Sequence, residues 1–427
     1  YTGEDTLSLH DALPISPVVT TRNTVIVPVK TGATGGFRVQ GHTGGSGALV
    51  WTMASDYVLP PHRWTPSFGI TLTPTNRLYV PGAGGKLLWR DDADAAGAAV
   101  QTAVFYGAAV YNAAAGACDA SIFINTPLTA DANGNIFFGF VANSGNPAGL
   151  VSGLARVAAD GTGTWVAAAA ASGDAAIAKI AMNCAPALSH DGKTVYVACN
   201  VPLVSGVRQS GYLLALDSTT LATKGVRRLL DPASGLDARV SDDSTSCVTV
   251  APNGDVFYGV LEADVRGHNG RGWLLHFDAA LAQTKIPGSF GWDTTASLMP
   301  SSMVPAYNGP STYLLMTKYN NYGGAGSGDG RNSLAVLDPD QSQPDSVAAI
   351  PVMREVLLKV APTADPAFPG VRASDRGRRA GHGRGSTVAP ADTQGGVPQA
   401  HSPGNRRYSP GSSSMSSRVL RYFGLGK

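Results

Sequence analysis

The sequence predicts an all-β chain made of repeated four-stranded antiparallel sheets, and three observations lead there. First, residues 183–230 divide into four short runs, 185–189, 193–198, 211–217 and 225–230. Each is rich in Val, Leu and Tyr and is bounded by Gly, Asp, Asn or Pro, which is the pattern of strands between tight turns. Second, the first half of this unit recurs at 72–80 (LTPTNRLYV), 128–138 (LTADANGNIFF), 249–258 (TVAPNGDVFY) and, more loosely, 304–315 (VPAYNGPSTYLL). Third, the second half recurs at 87–91 (LLWRD), 154–160 (LARVAAD), 213–217 (LLALD), 274–278 (LLHFD) and 334–338 (LAVLD). One such sheet has two faces to bury, and its copies supply the cover.

The turn residues Asn76, Gly134, Gly192, Gly254 and Gly309 lie 58, 58, 62 and 55 positions apart. A strand-built repeat of this length means a propeller or a β-solenoid. Four strands per unit, one of them ending in Asp, favours a β-propeller whose blades pack face to face. The motif [ST]-x-[DN]-G-x-[VI]-[YF] followed by G-x-L-x-x-[LF]-D resembles the blades of PQQ-like, quinoprotein-type β-propellers. The resemblance covers about residues 24–360 and specifies architecture; propellers host enzymes, ligand binders and scaffolds alike.

Taken in order, residues 1–22 match no blade, and 6–16 (TLSLHDALPIS) resemble translated sequencing-adapter read-through. They are expected to be non-native or disordered. Runs at 23–29, 37–40 and 48–53 read as the last three strands of a blade whose first strand is missing, with the far end of the chain expected to complete it. Five fuller blades follow at about 60–120, 121–181, 182–240, 241–299 and 300–362, so the propeller domain spans 23–362 and shows about six blades. Beyond it, 363–427 is a basic tail rich in Arg, Gly, Ser and Pro, read as disordered or out of frame. On the out-of-frame reading the intact relative has seven blades.

The net charge of +2 combines two regions: residues 371–427 carry +8 and residues 1–370 carry −6. A mildly acidic body lacks the basic face that nucleic acid requires. No apolar run reaches the ~20 residues of a membrane span. The four cysteines form no C-x-x-C pair, which argues against zinc or thioredoxin-like chemistry, and they read as small buried strand residues.

Nucleophile-elbow, P-loop, zincin and dinucleotide motifs are absent from the sequence. Asp131–Asn135 (DANGN) hints at a calcium loop but lacks the Gly and Glu that such a loop requires. The PQQ dehydrogenases that the blades resemble imply a vicinal Cys-Cys pair, a Trp beneath the quinone and carboxylate ligands for calcium. This chain has no Cys-Cys pair, and its Trp residues fall mostly at strand positions where packing explains them. PQQ and calcium are therefore disfavoured, and no cofactor is expected.

The polar residues ahead of each blade's first strand are the remaining candidates, because first strands line a propeller's central channel. His62, Trp64, Asn125, Asn183, Asp242 and Asp243 are expected to ring the channel mouth, with Lys318 and Tyr319 in a loop covering one end. Such a ring offers an indole face and convergent amides to a small polar ligand, a sugar or a peptide. The bland alternative is that these groups satisfy strand ends and channel water. The reading is a monomeric, exported, bacterial-type propeller, periplasmic or extracellular, acting as a non-enzymatic scaffold for a protein or a small polar ligand. The alternative is a propeller enzyme, a glycan- or lactone-type lyase or hydrolase or, less favoured, a quinoprotein dehydrogenase, with its site at the mouth.

Overall fold

The computed structural model describes residues 17–32, 36–61, 67–204, 207–263, 271–292, 294–319 and 333–360, and these form six antiparallel sheets, the blades of a β-propeller. Blade 1 comprises Val18–Val19, Thr24–Lys30, Phe37–Thr43 and Leu49–Ser55. Blade 2 comprises Thr71–Leu72, Leu78–Pro81, Lys86–Arg90 and Gln101–Val104. In blade 3, Thr129–Ala130, Ile136–Ala142, Gly153–Val157 and Gly163–Ala167 pair in that order, and in blade 4, Ala187–Leu188, Thr194–Asn200, Gly211–Asp217 and Thr223–Arg228 do the same. In each of these two blades the second strand also pairs at its far end with a short strand ahead of the first, Ile122–Ile124 or Lys179–Ile180. Blade 5 has Thr249–Val250, Val256–Leu261 and Gly272–Phe277, with single bridges from Leu274 to Gly288 and Phe277 to Thr284 in place of a fourth strand. Blade 6 has Ser297–Pro300, Tyr313–Tyr319, Ser333–Pro344 and Pro351–Val360.

The repeat anchors have a common cause. Asn76, Gly134, Gly192 and Gly254 all sit at positive φ, +62°, +83°, +69° and +88°, closing the turn between first and second strands. Only Gly, or Asn at modest cost, adopts this conformation readily. Gly309 differs. It is not left-handed, 304–312 is not strand, and blade 6 begins earlier, at Ser297–Pro300.

Cross-strand register explains the rest of the motif. One row crosses each of blades 2 to 5: Thr71–Tyr79–Trp89 in blade 2, Thr129–Phe137–Arg156 in blade 3, Ala187–Tyr196–Ala215 in blade 4 and Thr249–Phe257–His276 in blade 5. In these four blades the second-strand member is aromatic, so each of them presents a ring at the same height to the next blade. Thr129 and Thr249 also donate their hydroxyls to Pro186 O and Ala296 O of the following blades, at 2.6 and 2.9 Å. The Asp that ends the third strand closes the outer turn; Asp217 Oδ1 accepts from Thr219 N and Thr220 N at 3.0 and 2.9 Å.

Three clusters of buried side chains make most of the core, one running through blades 1 to 3, one mainly through blades 3 to 5 and one through blades 5 and 6. The second strands of blades 3, 4 and 5 are buried on both faces. Blade 1 alternates instead, with Ile26 and Val39 buried and Val25, Val27 and Val29 half-exposed. Blade 1 is also complete where the sequence implied a missing strand: Val18–Val19, ahead of residue 23, pairs with Val25 and Ile26. A two-residue strand carries no alternation to recognise. It is fixed instead by Thr20 Oγ1 donating to Asp94 at 2.6 Å and by Arg22 paired to Asp92 and Asp94. The tail at 363–427 and residues 1–16 lie outside the described residues.

Candidate functional site

In blades 3, 4 and 5 the residue three positions ahead of the row residue of the first strand has one recurring task. Thr126 Oγ1 accepts from Gly139 N at 2.8 Å, and Ser246 Oγ accepts from Gly259 N at 3.0 Å. Cys184 Sγ holds the same place beside Ala198 N at 3.5 Å. In each case a short side chain satisfies the second-strand N–H two residues past the aromatic row member. Blade 2 shows why these residue types occur. Its second strand has Pro81 there, which has no N–H, and the matching upstream position is Phe68, which has no acceptor. Cys184 is thus a strand-end cap. Burial pushes its thiol well above the usual range and takes that of Cys199 up to about 12; all four cysteines are free.

Asn183 ties the segments ahead of four blades together. Its backbone is left-handed (φ +62°), and its N–H donates to Asn125 O at 3.0 Å. Its Oδ1 accepts from Ser67 Oγ at 2.8 Å, and its carbonyl faces Cys247 Sγ at 3.2 Å. Asn125 donates its amide to Ile180 O at 2.8 Å. Both Asn side chains are fully buried, and Asn125 Oδ1 and Asn183 Nδ2 have no protein partner. The structure therefore brings these two predicted residues together, inside the packed hub.

Asp242 is the buried anion of the hub. Its Oδ1 accepts from Lys179 Nζ at 2.5 Å, Asn200 Nδ2 at 2.9 Å and Met182 N at 3.3 Å, and its Oδ2 accepts from Gln209 Nε2 at 2.8 Å. Burial alone would raise its pKa, but the Lys179 ammonium and the Asn200 and Gln209 amides outweigh burial and hold it below the usual range. Asp243 is half-buried, and its N–H donates to Ser241 Oγ at 3.2 Å.

Lys318 and Tyr319 belong to the strand Tyr313–Tyr319 rather than to a covering loop, and Tyr319 is fully buried near Phe290. Strand pairing to Leu334 and Ser333 extends further than the sequence boundary suggested. His62 and Trp64 lie outside the described residues. Asp131 turns onto its own loop, its Oδ1 accepting from Asn133 N and Asn135 N and its Oδ2 from Asn135 Nδ2. A quinone–calcium pair does not fit the hub, because an ammonium and two amides already occupy both oxygens of its buried carboxylate.

A second buried charged group lies within blade 5. His276 Nε2 is 3.0 Å from Asp255 Oδ2, Lys285 Nζ is 2.5 Å from Asp255 Oδ1, and the imidazole stacks on Phe257 with centroids 4.3 Å apart. Burial pushes the His276 pKa down, overriding Asp255, so the folded state holds it neutral more strongly than the unfolded chain does. Stability from this group is therefore complete above the unfolded value of about 6.5 and falls as pH drops below it. The urea midpoint is expected to fall between about pH 7 and pH 5. In a His276→Gln variant that part of the slope should vanish.

Sequence reasoning missed a cleft between the outer edges of blades 2 and 3, with a volume of about 800 Å³. From blade 2 it receives Trp89 and Tyr79, with the Arg77 guanidinium 4.0 Å from the Trp89 ring centroid. From blade 3 it receives Trp165, 37 % exposed and edge-on to Phe140 at 6.0 Å. Among the exposed large hydrophobic side chains of the described residues, Trp165 is the only aromatic. The corresponding wedge between blades 4 and 5 holds about 550 Å³, has Ala215 in the row position of Trp89, and contains no indole.

No family profile and no curated protein matches the sequence. Among solved structures, the chain is similar to the Dos1 propeller, at 12 % identity and TM-score 0.44, covering 80 % of this chain and 68 % of that one. It is similar to a europium-containing methanol dehydrogenase at 10 % identity and TM-score 0.44, covering 81 % and 70 %. It is also similar to the quinohemoprotein alcohol dehydrogenase of Comamonas testosteroni at 12 % identity and TM-score 0.37, covering 71 % and 55 %. These proteins are of different kinds, and at such scores the likenesses carry no functional inference.

Proposed function

We propose that this chain is a non-enzymatic binding propeller: the polar groups ahead of its first strands lock the blades together, and a ligand is recognised at the outer cleft between blades 2 and 3. The observation that supports this most directly is the saturation of Asp242 by Lys179, Asn200 and Gln209. A carboxylate so engaged and held ionised is a poor general acid and a poor metal ligand. The cleft, by contrast, presents an exposed indole and a stacked Arg–Trp pair to solvent, the kind of aromatic and polar lining that ligand pockets use.

The test is a thermal-shift screen of the full chain against sugars, peptides, quinones and divalent ions, followed by mass spectrometry of every ligand that shifts melting. The expected ligand raises the melting temperature, is recovered chemically unchanged, still binds Asp243→Asn and no longer binds Trp165→Ala. A ligand that is converted, with conversion abolished in Asp243→Asn, would overturn the reading in favour of an enzyme.

A further inference from the structure

Resting on the assignment of the cleft as the recognition surface, we infer that its ligand is an oligosaccharide, held with a sugar ring against Trp165. Blade geometry supplies the first argument. Trp89 lies in the cross-blade row of blade 2, paired with Tyr79, and Trp165 lies on the outer strand of blade 3, paired with Ala155. Phe138 and Ala155 pack with the core of blades 1 and 2, so the Trp165 face of blade 3 is the face turned toward blade 2. Two indoles from facing sheets therefore enter one open wedge.

The four comparable row positions show that this arrangement is particular to blade 2. Arg156 and His276 are each tied to their own second-strand turn, by Asn135 at 2.9 Å and Asp255 at 3.0 Å. Ala215 is small, and its wedge is drawn together where Tyr196 Oη donates to Ala279 O at 2.7 Å. Between blades 2 and 3 the row residue is an indole; Arg77 reaches Ala159 O at 3.4 Å, and the two blades meet closely where the Gly163 backbone lies against Phe105 O beside the cleft.

The chemistry of the rim selects the ligand class. An indole face accepts the C–H face of a pyranose, or equally a proline ring. The two ligands differ in their polar groups: a glycan brings many O–H donors, whereas a proline-rich segment brings mainly carbonyl acceptors. Around the indoles stand the exposed Asp160 carboxylate, whose Oδ1 accepts from Thr162 N at 2.9 Å, and the exposed Thr102 and Thr162 hydroxyls, each able to donate and to accept. The one cation of the rim, Arg77, is already paired to Asp91 at 2.7 Å and stacked on Trp89. A ligand with many hydroxyls can use the carboxylate as well as both threonines, whereas a ligand of mainly carbonyls leaves the carboxylate without a donor. A cleft of about 800 Å³ accommodates more than one sugar ring.

The experiment applies the labelled full chain in parallel to an oligosaccharide array and a proline-rich peptide array, then titrates hits by calorimetry. The variants are Trp165→Ala, Trp165→Phe and Asp160→Asn, each checked for an unchanged melting temperature; Trp165 is exposed on an outer strand, so its loss should spare the fold. Oligosaccharide binding that falls at least about tenfold in Trp165→Ala, and is partly restored in Trp165→Phe, is the expected result. Oligosaccharide binding indifferent to Trp165 overturns the assignment. Binding of proline-rich peptides alone, dependent on Trp165, overturns the glycan assignment and leaves the recognition cleft standing. Silence on both arrays overturns both.

Discussion

Asp242→Ala will destabilise the fold by about 3–5 kcal/mol, the cost of removing one member of a buried ion pair and leaving the other without its counter-charge. Lys179 and Asp242 side chains are only 16 % and 9 % exposed, and their separation is 2.5 Å. After the substitution Lys179 retains Asn200 Oδ1, at 2.9 Å, the Asn200 and Gln209 amides keep only Val240 O at 2.9 Å and Val201 O at 3.3 Å, and Met182 N loses its acceptor. Asp242→Asn should cost less, because it keeps the shape and one acceptor oxygen. Urea unfolding measures both, and the midpoint should fall without a change in slope, since the surface exposed on unfolding is the same. Midpoints for both variants close to that of the parent would mean that the hub does not hold blades 4 and 5 together.

Gly259→Ala will be comparably damaging for a steric reason. A Cβ at this position would lie 1.6 Å from Gly291 O and 2.6 Å from Ser246 Oγ. The first contact is with backbone, which cannot rotate aside, and the second would displace the hydroxyl that accepts Gly259 N–H. Overpacking commonly costs about 1–3 kcal/mol, and a backbone clash this close should exceed that range or prevent folding. Soluble yield and thermal melting report the result. A control at Gly235, with φ +70° and open space around the missing Cβ, should lose only the smaller cost of a strained backbone.

These two residues show which parts of the molecule the sequence made legible. The architecture was, because its signals are local. A left-handed turn demands Gly or Asn, and an outer turn is closed by Asp, so Asn76, Gly134, Gly192 and Gly254 recur at near-constant spacing. The common role of Cys184, Thr126 and Ser246 was not legible, because it depends on a partner some thirteen residues onward in the second strand. Matching Phe68 with Pro81 and Thr126 with Gly139 is the signal that could have revealed it. For the hub, the sequence located Asn125, Asn183 and Asp242, while Lys179, Asn200 and Gln209 went unnoticed as their partners.

The boundaries of blades 1 and 6 were less legible. Val18–Val19 is too short for a pattern, and blade 6 replaces the tight first turn with a loop from Ser301 to Thr312. The cleft was not legible at all. Trp89 and Trp165 are 76 positions apart and meet only because consecutive blades stack, so each alone resembles an ordinary strand residue. Exposure distinguishes Trp165, and exposure at the outer edge of a blade is a property of the packed array.

The central claim, that the polar groups ahead of the first strands hold the blades together and form no catalytic or cofactor site, is tested most directly by the melting temperature of the parent and of Asp242→Asn, each alone, with calcium and with pyrroloquinoline quinone. The expected result is a lower melting temperature for Asp242→Asn and no added stability from either ligand in either protein. A calcium or quinone shift in the parent that disappears in Asp242→Asn would make this carboxylate a ligand and contradict the account.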